Sequence, residues 1–464
     1  MRLPQSCSAP GSADGTGAPA VPLWPAEFRW GASTSAYQIE GAATADGKGP
    51  SIWDVRSHMP GRITGGDTGD VACDHYHRYR EDIALMGEIG LDAYRFSISW
   101  PRVLPQGRGQ VNPAGLDFYD RLVDGLLAAG IEPWACLYHW DLPQALQDQG
   151  GWVARDSAGW FADYAVLIAR RLGDRVKRFA TFNEPSVFTL FGYVMDWQAP
   201  GIMDRASYLA AMHHVNLAHG AAVDVLRDLV PGGLVGAIHN RQPCLPVSQA
   251  EADREAAAFF DACWNRAFPD AQILGTYPSA LIDKVAPWVK AGDLARICRP
   301  VDWLGLNHYS PIYARADPEA ILGFGWGSPP EGRPQTDVGW VIDANAFRDT
   351  LIDVHRTYRL PIYVTENGYG GTDAPDATGA VQDPERVGYL GAYIHAMGEA
   401  MARGADVRGY FVWSLLDNFE WGSGYSQRFG IVHVNYPTQR RTLKSSARWY
   451  REHIRTSRVP TAFA

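Results

Sequence analysis

Eight short runs of strand-forming residues, separated by helical patterns, restrict the fold of this chain more than any other feature. They cover residues 28–33 (running on to Gln38), 93–99, 132–138, 178–182, 234–239, 303–306, 361–365 and 407–413. Each is rich in β-branched and aromatic residues and stops at polar or aromatic ones. Helical patterns fill the spacings at 74–90, 116–130, 158–172, 206–229, 251–268, 346–358 and 384–403. The first has Ile83, Leu85, Met86 and Ile89 before Gly90, and the second has Leu122, Val123, Leu126 and Leu127 before Gly130. A glycine after the last apolar position is a helix stop. Eight strands alternating with helices predict an α/β fold, a single (β/α)8 TIM barrel with long loops over its C-terminal face. The length of 464 residues would also suit two or three domains. Barrels with insertions exceed ~400 residues as one domain, and no repeat or linker divides this chain. The expected organisation is a disordered Ser-, Gly-, Ala- and Pro-rich tail over 1–22 and one domain over 23–464, with the Gly- and Pro-rich stretch 317–337 as a loop over the barrel mouth.

Two of the runs end in a carboxylate. Ile362-Tyr363-Val364-Thr365 is followed by Glu366-Asn367-Gly368. Taken alone, this is as well a plain turn beside a solvated acid. Residues 176–185, however, repeat the design: Val-Lys-Arg-Phe-Ala-Thr-Phe-Asn-Glu-Pro, with Glu184 at the strand end. Two strand-end glutamates far apart in sequence are what a two-carboxylate reaction needs.

The net charge of −9 argues against nucleic acid or an anionic membrane as partner. No run is long and apolar enough for a membrane helix. The six cysteines, Cys7, Cys73, Cys136, Cys244, Cys263 and Cys298, form no C-x-x-C pair and read as reduced thiols. With no apolar leader at the N-terminus, a cytoplasmic protein is expected. His75 with His77, and His213 with His214, have spacings that put no two imidazoles on one helix face, so neither metal nor other cofactor is expected. The 17 Trp and 21 Tyr fill cores, and they are also the side chains on which sugar rings stack.

The polar residues at the strand ends form a set: Gln38, Arg95, His139 with Trp140, Asn183 with Glu184, Asn307 with Tyr309, Glu366, and Trp413, Glu420 and Trp421. Each has an ordinary structural explanation, but their joint fall at barrel strand ends does not. Over residues 28–450 the chain resembles the family 1 glycoside hydrolases, the β-glucosidase family. The resemblance is carried by Phe28-Arg29-Trp30-Gly31-Ala32-Ser33 with Gln38-Ile39-Glu40-Gly41, Tyr94-Arg95-Phe96-Ser97-Ile98-Ser99-Trp100-Pro101-Arg102, and His139-Trp140-Asp141-Leu142-Pro143. Thr181-Phe182-Asn183-Glu184-Pro185 and Val364-Thr365-Glu366-Asn367-Gly368 carry it further, as does Trp413-Ser414-Leu415-Leu416-Asp417-Asn418-Phe419-Glu420-Trp421.

The resemblance implies a retaining β-glycosidase, a β-glucosidase acting on terminal non-reducing β-D-glucosyl residues, with β-galactosides and β-fucosides as further substrates. Its partners would be small β-glucosides or cello-oligosaccharides, and its setting cellulose degradation. Glu366 would be the nucleophile and Glu184 the acid/base, with carboxyls roughly 5–5.5 Å apart. Arg95 and Tyr309 would hold Glu366 as the anion, leaving the proton on Glu184. Gln38, His139, Trp140, Asn183, Asn307, Glu420, Trp421 and Phe429 would contact the sugar, Trp413 would be its stacking floor, and Trp340 would face the leaving group. Glu420 would repel a 6-phosphate, which disfavours the 6-phospho-β-glycosidases. A transglycosylating enzyme and a non-catalytic sugar binder are rival functions for the same set of residues. Gln198, Trp264, Trp134 and Cys136 depart from the family pattern, which puts the leaving-group side and local packing in question.

Overall fold

The computed structural model describes residues 24–458. The expected tail, with Cys7, lies outside the described residues. The barrel strands are β1 (Arg29–Ser33), β2 (Ala93–Ser97), β3 (Glu132–Tyr138), β4 (Arg178–Asn183), β5 (Leu234–Asn240), β6 (Trp303–Asn307), β7 (Ile362–Asn367) and β8 (Val407–Trp413). All neighbours pair in parallel and β8 closes on β1, giving one (β/α)8 barrel.

The main helices are α1 (His75–Ile89), α2 (Pro113–Ala128), α3 (Ser157–Leu172), α4 (Pro185–Tyr193), α5 (Arg205–Leu229), α6 (Glu251–Asp261), α7 (Ala344–Tyr358), α8 (Pro384–Ala402) and α9 (Ser445–Ser457). Gly90 ends α1 in the left-handed region at φ 83°, where a glycine lacks the Cβ that would clash.

Four strands run further than their apolar pattern and finish on an asparagine: Asn183, Asn240, Asn307 and Asn367. The register shifts between Ala180 and Asn183 in β4, and between Val364 and Glu366 or Asn367 in β7. Such irregularities re-aim side chains at a barrel rim, and here they fall on the two strands that carry the glutamates. Gly368 follows at once; a Cβ there would meet the Trp413 carbonyl oxygen at 1.8 Å.

Three expected segments differ. The first strand does not run on to Gln38, which lies in a short helix, Ala36–Ile39. The helix expected over 251–268 is α-helical only to Asp261 and then widens into a π-type turn, Ala262–Arg266. The stretch 317–337 is not all loop: Phe324–Trp326 pairs antiparallel with Ile312–Ala316, which pairs in parallel with Cys244–Pro246. Three residues between glycines are too short for alternation to show, so pairing with a distant strand decides the structure.

Inside the barrel, Trp134, Trp303, Tyr363 and Phe411 form a floor with Ala93, Cys136, Ala180 and Ile238. The Trp134 ring lies 5.1, 4.7 and 5.0 Å from the other three. Trp134 and Cys136, unusual on sequence, thus plug the barrel below the strand ends. Above them, an ion network fixes the segment after β8. Asp417 accepts from Lys444 Nζ and Arg428 Nη1, both at 2.7 Å, and Lys444 also reaches Asp373 at 2.7 Å.

Candidate active site

Glu366 is the next-to-last residue of β7 and is buried. Arg95 Nη1, from β2, donates to its Oε1 at 2.6 Å, and the Tyr309 hydroxyl, just past β6, donates to its Oε2 at 2.8 Å. Burial raises the Glu366 pKa, and Arg95 and Tyr309 oppose that rise. Glu184 follows β4 directly and caps α4 with a left-handed backbone, φ 47°. Its Oε1 accepts from the neutral Asn307 amide at 3.0 Å, and Asn307 Oδ1 in turn accepts from Thr365 Oγ1 at 2.6 Å. Burial first, and the charge of Glu366 second, push Glu184 well above the usual carboxylate range.

A third carboxyl, Glu420, is raised to about 8 by burial and by Glu366. Among the described residues Arg95 is the one cation paired with any of the three. One cation among three buried carboxyls supports one carboxylate. Geometry gives that charge to Glu366, and the protons stay on Glu184 and Glu420. A neutral Glu420 both donates and accepts hydrogen bonds. Where Glu420 holds its proton, it carries no charge to repel a phosphate.

His139 is neutral, because burial and Arg95 hold its pKa well below the usual value. Its Nε2 lies 3.1 Å from Asn183 Nδ2 and accepts from that amide, which puts the proton on Nδ1. Asn183 Oδ1 accepts from Arg95 Nη2 at 2.6 Å, so one guanidinium orders both the nucleophile candidate and the His139 support. Gln38 Nε2 donates to the Phe419 carbonyl at 3.0 Å and faces Glu420 Oε2 at 3.4 Å. Trp140 Nε1 donates to the Asn183 carbonyl at 3.0 Å. Trp140 (φ 76°) and Trp421 (φ 51°) share the left-handed backbone of Glu184, a costly conformation that concentrates at functional sites.

His139, Trp140, Glu184, Tyr309, Trp340, Glu366, Trp413, Glu420, Trp421 and Phe429 line one cavity of about 440 Å³, within the size range of small-molecule sites. Gln38, Arg95, Asn183 and Asn307 stand behind this lining and position it. The Trp413 and Trp421 rings lie 5.8 and 6.1 Å from His139, nearly parallel to it, and Trp340 lies 5.1 Å from Tyr309. Sequence reasoning missed Thr365, the relay to Asn307, and the outer wall of Phe191, Trp197 and Trp326. Phe191, seven residues after Glu184, was the available signal. Gln198 and Trp264, noted as departures, also line this outer part. The paired histidines are engaged elsewhere: His75 with Asp82 at 2.8 Å, and His213 with Asp293 at 2.9 Å. Among the described residues no three metal-ligating side chains are grouped, and no helix is long and apolar enough to cross a membrane.

Comparison with known proteins points the same way. The sequence model of the family described as Glycosyl hydrolase family 1 matches residues 22–459. The chain is similar to Beta-glucosidase A of Acetivibrio thermocellus, 44% identical over 447 residues, covering 94% of this chain and 98% of that protein. It is similar to the Bifunctional beta-D-glucosidase/beta-D-fucosidase of Bifidobacterium breve, 41% identical over 458 residues, covering 93% and 98%. Among solved structures it resembles the psychrophilic beta-glucosidase of Micrococcus antarcticus, with TM-score 0.90, 44% identity and coverage of 94% and 98%. It also resembles the beta-glucosidase of Thermotoga maritima in complex with deoxynojirimycin, with TM-score 0.90, 42% identity and coverage of 95% and 100%.

Proposed function

The chain belongs to glycosyl hydrolase family 1, and from that premise we propose that it is a retaining β-glucosidase that removes terminal non-reducing β-D-glucosyl residues from small β-glucosides, cello-oligosaccharides included. The observation that carries this reading is the unequal support of two buried glutamates in one cavity. Glu366 has a guanidinium and a phenol, and Glu184 has a neutral amide.

In the first step the Glu366 carboxylate attacks the anomeric carbon and forms an ester. The bond to the leaving oxygen breaks, and that oxygen takes the Glu184 proton. Esterification removes the Glu366 charge, one of the causes that raise Glu184, so the Glu184 pKa falls as its second role begins. Glu184 then accepts a proton from water, the water oxygen joins the anomeric carbon, and Glu366 leaves as carboxylate. Two inversions restore the β configuration. Arg95 and Tyr309 hold the nucleophile in line, and His139, Glu420, Trp421 and Trp413 hold the sugar.

An unphosphorylated sugar suits the site, because among the described residues no lysine or arginine lines the cavity. β-Fucosides are further substrates, in keeping with the bifunctional relative, and β-galactosides are proposed beside them. The free thiols of Cys73, Cys136, Cys244, Cys263 and Cys298 suit a cytoplasmic setting, and cellulose breakdown, at the stage of short soluble products, is a fitting role.

Initial rates on p-nitrophenyl glycosides test the assignment. Fast release is expected from the β-glucoside and little from the α-glucoside or the β-glucoside 6-phosphate. Release confined to the phosphate would move the protein to phosphorylated sugars, and silence on every glycoside would return a non-catalytic binder.

A further inference from the structure

The cavity has an outer half that the bond-breaking chemistry does not use. Its wall is Phe191, Trp197, Trp264 and Trp326. The Phe191 ring lies 5.1 Å from Trp197, 5.4 Å from Trp264 and 5.6 Å from Trp326, and Trp197 lies 5.0 Å from Trp326. Trp197 is 50% exposed while Trp264 is buried, so the aromatic belt runs from the cavity to the surface.

Helix α4 joins this belt to the chemistry. Glu184 caps the helix, and Val187 and Phe191, three and seven residues on, fall on the same face and line the same cavity. The chain then turns back, and the backbone N–H groups of Trp197 and Gln198 donate to the Phe191 carbonyl at 3.1 and 3.3 Å. Trp326 comes from the short strand Phe324–Trp326 and is backed by Phe260 at 4.4 Å. The group that protonates the departing oxygen thus shares a helix face with the belt, and the leaving group departs along it.

Apolar surface exceeds polar surface along this cavity. Gln198, Asn240, Gln242, Ser310 and Tyr313 supply the amides and hydroxyls of this outer lining, and Gln198 Oε1 and Asn240 Nδ2 are buried there without a protein partner among the described residues. Asn240 Oδ1 is taken by the Ser186 hydroxyl, and Gln242 Oε1 by Trp264 Nε1, both at 2.6 Å. A second sugar would bring a fringe of hydroxyls against indole and phenyl faces, and a buried hydroxyl without a partner is costly. An aromatic alcohol has no such fringe and gains contact with the rings.

Resting on the β-glucosidase reading above, we propose that the preferred leaving group is an apolar aryl or aralkyl alcohol held by Phe191, Trp197 and Trp326, and that a second sugar is the poorer fit. The test compares kcat/KM on 2-phenylethyl β-glucoside and on cellobiose. Both release alkyl alcohols, so leaving-group activation does not set the order. p-Nitrophenyl β-glucoside reports separately on the β-glucosidase reading. The phenylethyl substrate should exceed cellobiose by about tenfold or more. Trp197→Ala and Trp326→Ala should each cut that ratio by about fivefold. Trp197 is half exposed, so its variant keeps the test open if Trp326→Ala fails to fold. Cellobiose equal to or better than the phenylethyl substrate, or a ratio unmoved by Trp197→Ala, would overturn the inference while p-nitrophenyl release left the β-glucosidase reading standing. Silence on all three substrates from folded protein would overturn both.

Discussion

Glu366 and Glu184 carry the same side chain, and their neighbours divide the work between them. A guanidinium at 2.6 Å and a phenol at 2.8 Å favour the anion on Glu366. A neutral amide at 3.0 Å does far less for Glu184, which keeps its proton. The raised Glu184 pKa has a direct consequence for activity, because the acid stays protonated above the usual carboxylate range and the first step fails only when it ionises. The alkaline limb of kcat/KM should therefore belong to Glu184. Glu184→Ala should lose that limb, and its rate on alkyl glucosides should fall about 10²-fold further than on 2,4-dinitrophenyl glucoside, whose oxygen leaves without a proton. Equal losses on both substrates, or an unchanged limb, would contradict the role. Both glutamates were legible in the sequence because a carboxylate directly after a strand-forming run is conspicuous. The Thr365–Asn307 relay was not, since it crosses from β7 to β6 and a hydroxyl inside a strand has no distinctive pattern.

At the scale of elements, the strands announce themselves by apolar runs, and their ends do not. Asn183, Asn240, Asn307 and Asn367 belong to the strands, yet each breaks the apolar pattern that marks one. The segment after β8 poses the same problem. Nothing local indicates that Asp417, three residues before Glu420, is anchored by Lys444 and Arg428 from further along the chain. Lys444 is fully buried between Asp417 and Asp373, so removing its charge takes one cation from each carboxylate and leaves Asp417 to Arg428 and Asp373 to Arg386. Lys444→Met should cost about 3–5 kcal/mol in denaturant unfolding. A loss under ~1 kcal/mol would show that the network does not hold the Glu420 segment.

At the scale of the whole molecule, the alternation of eight strand runs with helices is enough to predict the barrel and the face on which chemistry sits. It does not say which tryptophans go where. Trp134 and Trp303 plug the floor, Trp413 and Trp421 line the inner cavity, and Trp197 and Trp326 form the belt. Those positions are set by contacts between distant segments, to which composition is blind. The buried carboxyls also couple global stability to pH. Glu420 rises from 4.5 to about 8 on folding, so between those values the folded state holds a proton that the unfolded chain has lost. Stability from this group is present below about pH 4.5 and fades as pH rises to about 8. Glu420→Gln should flatten that part of the Tm-against-pH curve, and a variant curve parallel to the parent's would show that Glu420 ionises normally.

Central to the proposed mechanism is a covalent bond between Glu366 and the sugar. The most direct measurement is mass spectrometry of the protein after treatment with 2,4-dinitrophenyl 2-deoxy-2-fluoro-β-glucoside, which forms the glycosyl ester quickly and hydrolyses it slowly. One sugar per chain, on the peptide that contains Glu366, is the predicted result. A label on Glu184, or release of dinitrophenol without any adduct, would contradict it.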